Sequence, residues 1–315
     1  MVGKTTRPWL AGTCFTIAAL ALLLSLATSA VATTGGAPTA AGSPPPPGSP
    51  TGKRASGSPS AGALRLVSAT TTPRKSFYYG YRYPKLSFAI ASSQAQNDIR
   101  VDVVDAAGAS VRTFFLNDVA PETETSIRWD GTMSDGRAAP NGRYSFQVSS
   151  QAGALAARLA TSSEAEAPSL GFDFYAYAFP LLGTHDYGSS GAVFGAGRSG
   201  HTHQGHDVMA ACGVPVIAAR GGRVQYSGYH SAAGNYVVID GKGTTLDFMY
   251  AHFAQPSPLK TGDTVRTAQP IGIVGDTGSA TACHLHFEIW TSPGWYEGGS
   301  PIDPLPYLQQ WDRYS

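Results

Sequence analysis

The 315-residue sequence predicts an all-β chain, with an antiparallel β-sandwich followed by a second antiparallel sheet rich in histidine. Three observations carry that prediction. Short runs alternate apolar and polar residues, as at Ile99, Val101 and Val103 and again at Tyr144, Phe146 and Val148. Turn-forming residues separate these runs, and no stretch of the C-terminal half sustains helical periodicity. Near the C-terminus, Cys283-His284-Leu285-His286-Phe287-Glu288-Ile289 also alternates. On a strand this sends His284 and His286 to one face and Leu285, Phe287 and Ile289 to the other.

Residues 1–32 read as a signal peptide. Lys4 and Arg7 form a basic start, an uncharged apolar run follows from Trp9 to Leu26, and Ala30-Val31-Ala32 offers a small-residue cleavage site. An uncleaved leader would instead serve as a membrane anchor. Either outcome places the rest of the chain outside the cytoplasm, secreted or cell-wall associated. Residues 33–63 shift to proline, glycine, serine and alanine, centred on Pro44-Pro45-Pro46-Pro47. That composition cannot bury enough apolar surface to fold, so the segment reads as a linker.

Residues 64–160 are expected to form the sandwich. Val111, Thr113 and Phe115 supply another alternating run, and Asp130-Gly131, Asp135-Gly136 and Asn141-Gly142 supply turns. The stretch Val101 to Val148, with Trp129-Asp130-Gly131 and Asn141-Gly142-Arg143-Tyr144, resembles the Ig-like module of flagellar hook-capping proteins. It shows no convergent polar cluster, and a spacer with a docking role is the expectation.

Residues 161–315 hold the chemistry. Strand candidates are Arg223–Ser227, Tyr236–Asp240, Thr245–Tyr250, Ile271–Val274 and His284–Trp290. His201, His203, His206 and Asp207 put three imidazoles and a carboxylate within seven residues, and Gly205 permits a tight turn among them. His252 ends another apolar run. Two histidines and a carboxylate with an open fourth position suit a catalytic zinc site, and further histidines can carry protons. His201 and His206 compete with His203 as ligands at this point. His206, adjacent to Asp207, points to the opposite face of an extended segment. His185 and His230 read as loop residues.

The order His203-Gln204-Gly205-His206-Asp207, Tyr250-Ala251-His252 and His284-Leu285-His286 resembles the lysostaphin-like (LytM-type) zinc metallopeptidases, which cut peptidoglycan cross-bridges. Intervening text is similar as well, including Gly213-Val214-Pro215-Val216-Ile217-Ala218-Ala219 and Gly272-Ile273-Val274-Gly275-Asp276-Thr277-Gly278. The resemblance implies an antiparallel sheet with a groove and one zinc ion (Zn²⁺) held by His203, Asp207 and His286. It makes His252 and His284 the catalytic pair and a peptidoglycan peptide the substrate. Aromatics from Phe172 to Phe179 and from Trp290 to Tyr296 would be groove walls or packing.

The 22 basic and 21 acidic residues leave a net charge of +1 and no basic stripe, which argues against a nucleic-acid partner. Once Cys14 leaves with the leader, Cys212 and Cys283 remain as an even pair flanking the site. A disulfide between them is carried forward as the expectation, against two buried thiols that never meet. The rival functional readings are a non-catalytic wall-binding or regulatory module of the same fold, and an assembly protein. Relatives of the first kind lack one or more ligands, and this chain lacks none.

Overall fold

Alternation alone would give every strand one buried face; the computed structural model shows where that holds and where a bulge breaks it. It describes residues 64–150, 153–154 and 170–315. The expected signal peptide and linker lie outside the described residues.

The first body is a two-sheet sandwich. One sheet orders Arg65–Thr72, Lys85–Ala91 and Thr125–Arg128. The other runs Lys75–Phe77, Gly171–Tyr175, Gly142–Ser150, Ile99–Asp105 and Ser110–Leu116, with Gly153–Ala154 beside it. Leu86, Phe88 and Ile90 meet Val101, Val103, Phe146 and Val148 in the core around the fully buried Trp129. The indole N–H of Trp129 donates to Thr132 O at 2.8 Å, so its one polar atom is satisfied.

Three features depart from the sequence expectation. A register shift opposite Val103 and Val104 lies in the pairing with Ser110–Leu116. Past it, Phe114 and Leu116 pack on the core while Phe115 is 71% exposed, because one extra residue exchanges the faces of a strand. Lys75–Phe77 pairs in parallel with Gly171–Tyr175, the exception to the antiparallel rule among the described residues. The strand Gly171–Tyr175 lies beyond residue 160 and nonetheless pairs within the sandwich sheet.

The second body is an eight-stranded antiparallel sheet. Its path runs His185–Asp186, His206–Ala210, His284–Thr291, Leu246–Phe253, Gly234–Gly241, Gly222–His230 and Thr264–Val265, with Pro301–Ile302 beside His284–Thr291. One face buries Val237, Ile239, Phe248, Tyr250, Leu285, Phe287 and Ile289. The opposite face carries Asp207, His284 and His286. A short helix, Leu305–Asp312, covers the apolar face with Leu308 and Trp311. The sequence reading missed it, since a helix of two turns that opens on Pro304 and Pro306 is too short to establish a period. Phe172 and Phe174 belong to the sandwich core, and Tyr177 and Phe179 pack on the second core rather than lining the histidine-bearing groove.

Candidate metal centre

Asp207 and His286 are direct cross-strand partners on adjacent antiparallel strands, so the ladder itself brings their side chains to one face. Ala251 is the partner of His286 on its other side. His203 lies just before the Asp207 strand and is fixed by its backbone: its N–H donates to Ala196 O, and its carbonyl accepts from Gly195 N, each at 2.8 Å. Between His203 and Asp207 the chain passes so close to Phe287 O and the His286 ring that a Cβ at Gly205 has no room. Close approach, rather than a left-handed turn, therefore explains this glycine. His252, next to last in its strand, has φ 60°, a conformation uncommon for a residue with a side chain, and its N–H donates to Ala233 O at 2.9 Å.

Three donor atoms converge. His203 Nε2 is 3.0 Å from Asp207 Oδ1 and 2.9 Å from His286 Nδ1, and His286 Nδ1 is 2.9 Å from Asp207 Oδ1. The far nitrogen of each ring faces an acceptor: His203 Nδ1 is 2.9 Å from Val193 O, and His286 Nε2 is 2.9 Å from Glu288 Oε1. Those far nitrogens carry the ring protons, because a carbonyl or carboxylate oxygen can only accept. In the neutral tautomers, two nitrogen lone pairs and a carboxylate oxygen then point at one another. Only a positive centre, a proton or a metal cation, relieves that crowding. The spacing is a few tenths of an ångström under the edge of about 3.3 Å set by tetrahedral zinc with ligands at about 2.0–2.1 Å. The donor set fits a divalent metal ion.

Electrostatics agree. Burial alone would raise the Asp207 carboxyl, but the imidazoles of His203 and His286 hold it well below the usual carboxylate range. Burial also opposes charge on His286, yet the carboxylates of Asp207 and Glu288 on its two sides push it up to about 9. Without metal, the His286 ring keeps a proton where the cation would sit.

His252 and His284 stand beside this centre, with ring centroids 4.6 Å apart. Nδ1 of His252 donates to Thr277 O at 2.7 Å, and Nδ1 of His284 donates to Ala282 O at 2.8 Å. Each neutral ring thus keeps its Nε2 lone pair, and that of His284 is 3.5 Å from Asp207 Oδ1. Burial is the main cause that lowers both, His252 to about 4. Both rings are neutral bases at physiological pH.

The centre opens into a groove of about 1060 Å³. Arg198, on the hairpin that pairs Gly197–Arg198 with His201–Thr202, donates to Asp207 Oδ2 at 2.7 Å. Across the groove, Tyr296 Oη donates to Gln204 Oε1 at 2.7 Å. Sequence reasoning had assigned roles to neither Arg198 nor Glu288. Glu288 was legible in principle, being two residues from His286 on the same strand face.

The remaining histidines separate cleanly. His206 is fully buried behind Asp207, with Nε2 3.0 Å from Tyr187 O. His201 is exposed at the groove mouth, and His230 lines the groove. His185 stacks on Phe179 and approaches Asp312 at 3.3 Å. Cys212 and Cys283 form a disulfide, with Cα atoms 5.3 Å apart.

Residues 201–304 match Peptidase family M23, and residues 84–154 match the FlgD Ig-like domain. Peptidoglycan DD-endopeptidase ShyC of Vibrio cholerae is 42% identical over 87 residues, covering 28% of this chain and 20% of that protein. Glycyl-glycine endopeptidase ALE-1 of Staphylococcus capitis is 31% identical over 115 residues, covering 36% and 31%. L-Ala--D-Glu endopeptidase of Bacillus subtilis is 33% identical over 155 residues, covering 45% and 46%. The chain spans less than half the length of each of these curated relatives. Taken with the histidine-lined sheet, these matches make the C-terminal body similar to Peptidase family M23 and the sandwich before it similar to the FlgD Ig-like domain.

Proposed function

We propose that the chain is a zinc metallo-endopeptidase that hydrolyses peptide cross-links of bacterial peptidoglycan. One observation carries the reading: three donors converge beside two neutral histidines on the floor of an open groove. In this reading His203, Asp207 and His286 hold the metal, which is zinc. A bound zinc ion supplies Lewis acidity, polarising a carbonyl and acidifying water. His252 and His284 handle the protons: an Nε2 lone pair takes one from the attacking water and later returns it to the leaving amine. Backbone carbonyls fix both tautomers, so neither ring has to reorient first.

The same reading covers the rest of the chain. Residues 1–32 are a signal peptide, and residues 33–63 form a linker. The sandwich, which includes the strand Gly171–Tyr175, acts as spacer and docking module, and the histidine-bearing body that follows it acts as peptidase. The enzyme works outside the cytoplasm at the cell wall. Among the described residues no helix is long and apolar enough to cross a membrane.

The three relatives are named for three different bonds, so the test presents all three. Purified protein with one equivalent of zinc is incubated with defined muropeptides and glycine-bridged fragments, and products are identified by mass. Cleavage that stops on chelation and returns with zinc is expected. Intact substrates after zinc loading would favour the non-catalytic wall-binding alternative.

A further inference from the structure

The geometry points to Glu288 as the positioning residue that selects which nitrogen of His286 faces the metal, an inference that rests on the proposed ligand set. The sequence places it for this task. On the His284–Thr291 strand, residues 284, 286, 288 and 290 share one face, so Glu288 follows His286 by one pleat and Trp290 follows Glu288 by another.

The carboxylate is 5% exposed and is met by ring N–H groups alone. Its Oε1 lies 2.9 Å from His286 Nε2. Its Oε2 accepts the indole N–H of Trp290 at 2.6 Å and that of Trp295 at 3.1 Å. An indole nitrogen can only donate, so two donors pin Oε2 and the carboxylate cannot swing. With Oε2 held, Oε1 has one orientation and offers His286 an acceptor. The ring answers by carrying its proton on Nε2, which leaves Nδ1 with the lone pair aimed at Asp207 Oδ1 and His203 Nε2. Partners of this kind orient ligand imidazoles and raise their basicity, and their loss weakens metal binding about 10–100-fold.

The amide of Glu288→Gln cannot reproduce this arrangement. Three donors face the site, and an amide has one acceptor oxygen. If that oxygen stays with His286, the NH₂ group confronts two indole N–H donors. If it turns to the tryptophans, the NH₂ group donates to Nε2 and drives the ring proton onto Nδ1, the nitrogen the metal needs.

The test measures zinc affinity of the full chain by competition with a chromophoric chelator. The visible absorption of the cobalt-substituted protein and the melting temperature of the metal-free protein are recorded alongside. Glu288→Gln is expected to bind zinc about 10–100-fold more weakly and to shift the cobalt spectrum. Trp295→Phe, which removes one donor from Oε2 at the groove wall, is expected to weaken zinc binding several-fold. It decides the matter if Glu288→Gln does not fold. Wild-type affinity and spectrum in both variants, with at most a lowered melting temperature, would overturn the inference. Failure of the wild-type protein to bind zinc stoichiometrically would instead reject the ligand set, and the inference with it.

Discussion

At the scale of single residues, proton positions decide what each histidine can do. Carbonyls of Val193, Thr277 and Ala282 and the carboxylate of Glu288 each take one ring nitrogen, leaving the other for the centre. From this follows a contrast between two truncations. His286→Ala removes a donor from the converging set, so zinc and activity are expected to vanish together. His252→Ala leaves that set whole. It should keep zinc near one equivalent while turnover falls about 10²–10⁴-fold, the usual loss for a general base. Metal analysis beside a digestion assay reads both, and full activity in either variant contradicts the assignment. The pH profile adds a sign. Burial lowers His252 to about 4, so it is a base above that value and is protonated only below it. The acid limb of kcat/KM from this group is therefore expected well below the ordinary histidine value of about 6.5; a limb at or above 6.5 contradicts it. Five of these side chains, His203, Asp207, His252, His284 and His286, were visible in the sequence because their spacing is distinctive. Of the acceptors behind them Glu288 was legible in principle; the other three are backbone carbonyls delivered by loops, and a carbonyl leaves no mark on side-chain identity.

At the scale of elements, the antiparallel ladder explains why proposed ligands far apart in the chain meet. Asp207 opposes His286, so a one-residue slip of either strand would turn its proposed ligand into the core. The disulfide ties the same two elements: Cys212 lies just beyond the Asp207 strand, and Cys283 precedes His284. It closes a loop between residues 71 positions apart, and removing such a cross-link costs about 2–4 kcal/mol. Replacing both cysteines by serine is expected to lower the melting temperature in calorimetry while zinc stoichiometry stays at one, because the backbone ladder still sets the register. Loss of zinc binding in a folded double variant would show that the cross-link, not the ladder, holds the site. The five strand candidates of this body each overlap a strand, whereas His206–Ala210, which carries Asp207, is too short and too polar to stand out as one. The register shift near Val111 was not. A bulge is a two-against-one pairing, and one strand's sequence does not reveal its partner's register.

At the scale of the molecule, the sandwich and the histidine-bearing sheet meet through a buried cation. Arg220 is 1% exposed, and its guanidinium lies 4.0 Å from the Tyr78 ring centroid. It donates to Ala176 O at 2.7 Å and to Lys242 O at 2.8 and 2.9 Å. Asn141 continues the junction, accepting from Ala176 N at 2.6 Å and Tyr177 N at 3.1 Å. Arg220→Ala would strand the two carbonyls and open a cavity, a cost of about 3 kcal/mol or more. Calorimetry is expected to show one cooperative transition for the wild type and two for the variant, with zinc binding retained. An unchanged melting profile would mean the junction contributes little. The sequence could not have shown this contact, because Arg220 and Tyr78 are far apart in the chain and neither belongs to a motif.

The central claim is a metal ion shared by two imidazoles and one carboxylate from separate strands. X-ray absorption at the zinc edge, on protein loaded with one equivalent, tests it most directly. A first shell of nitrogen and oxygen only is expected, with the multiple-scattering signature of two imidazoles, lost in His286→Ala. A sulfur shell from Cys212 or Cys283, or a wild-type spectrum matching zinc free in buffer, would contradict it.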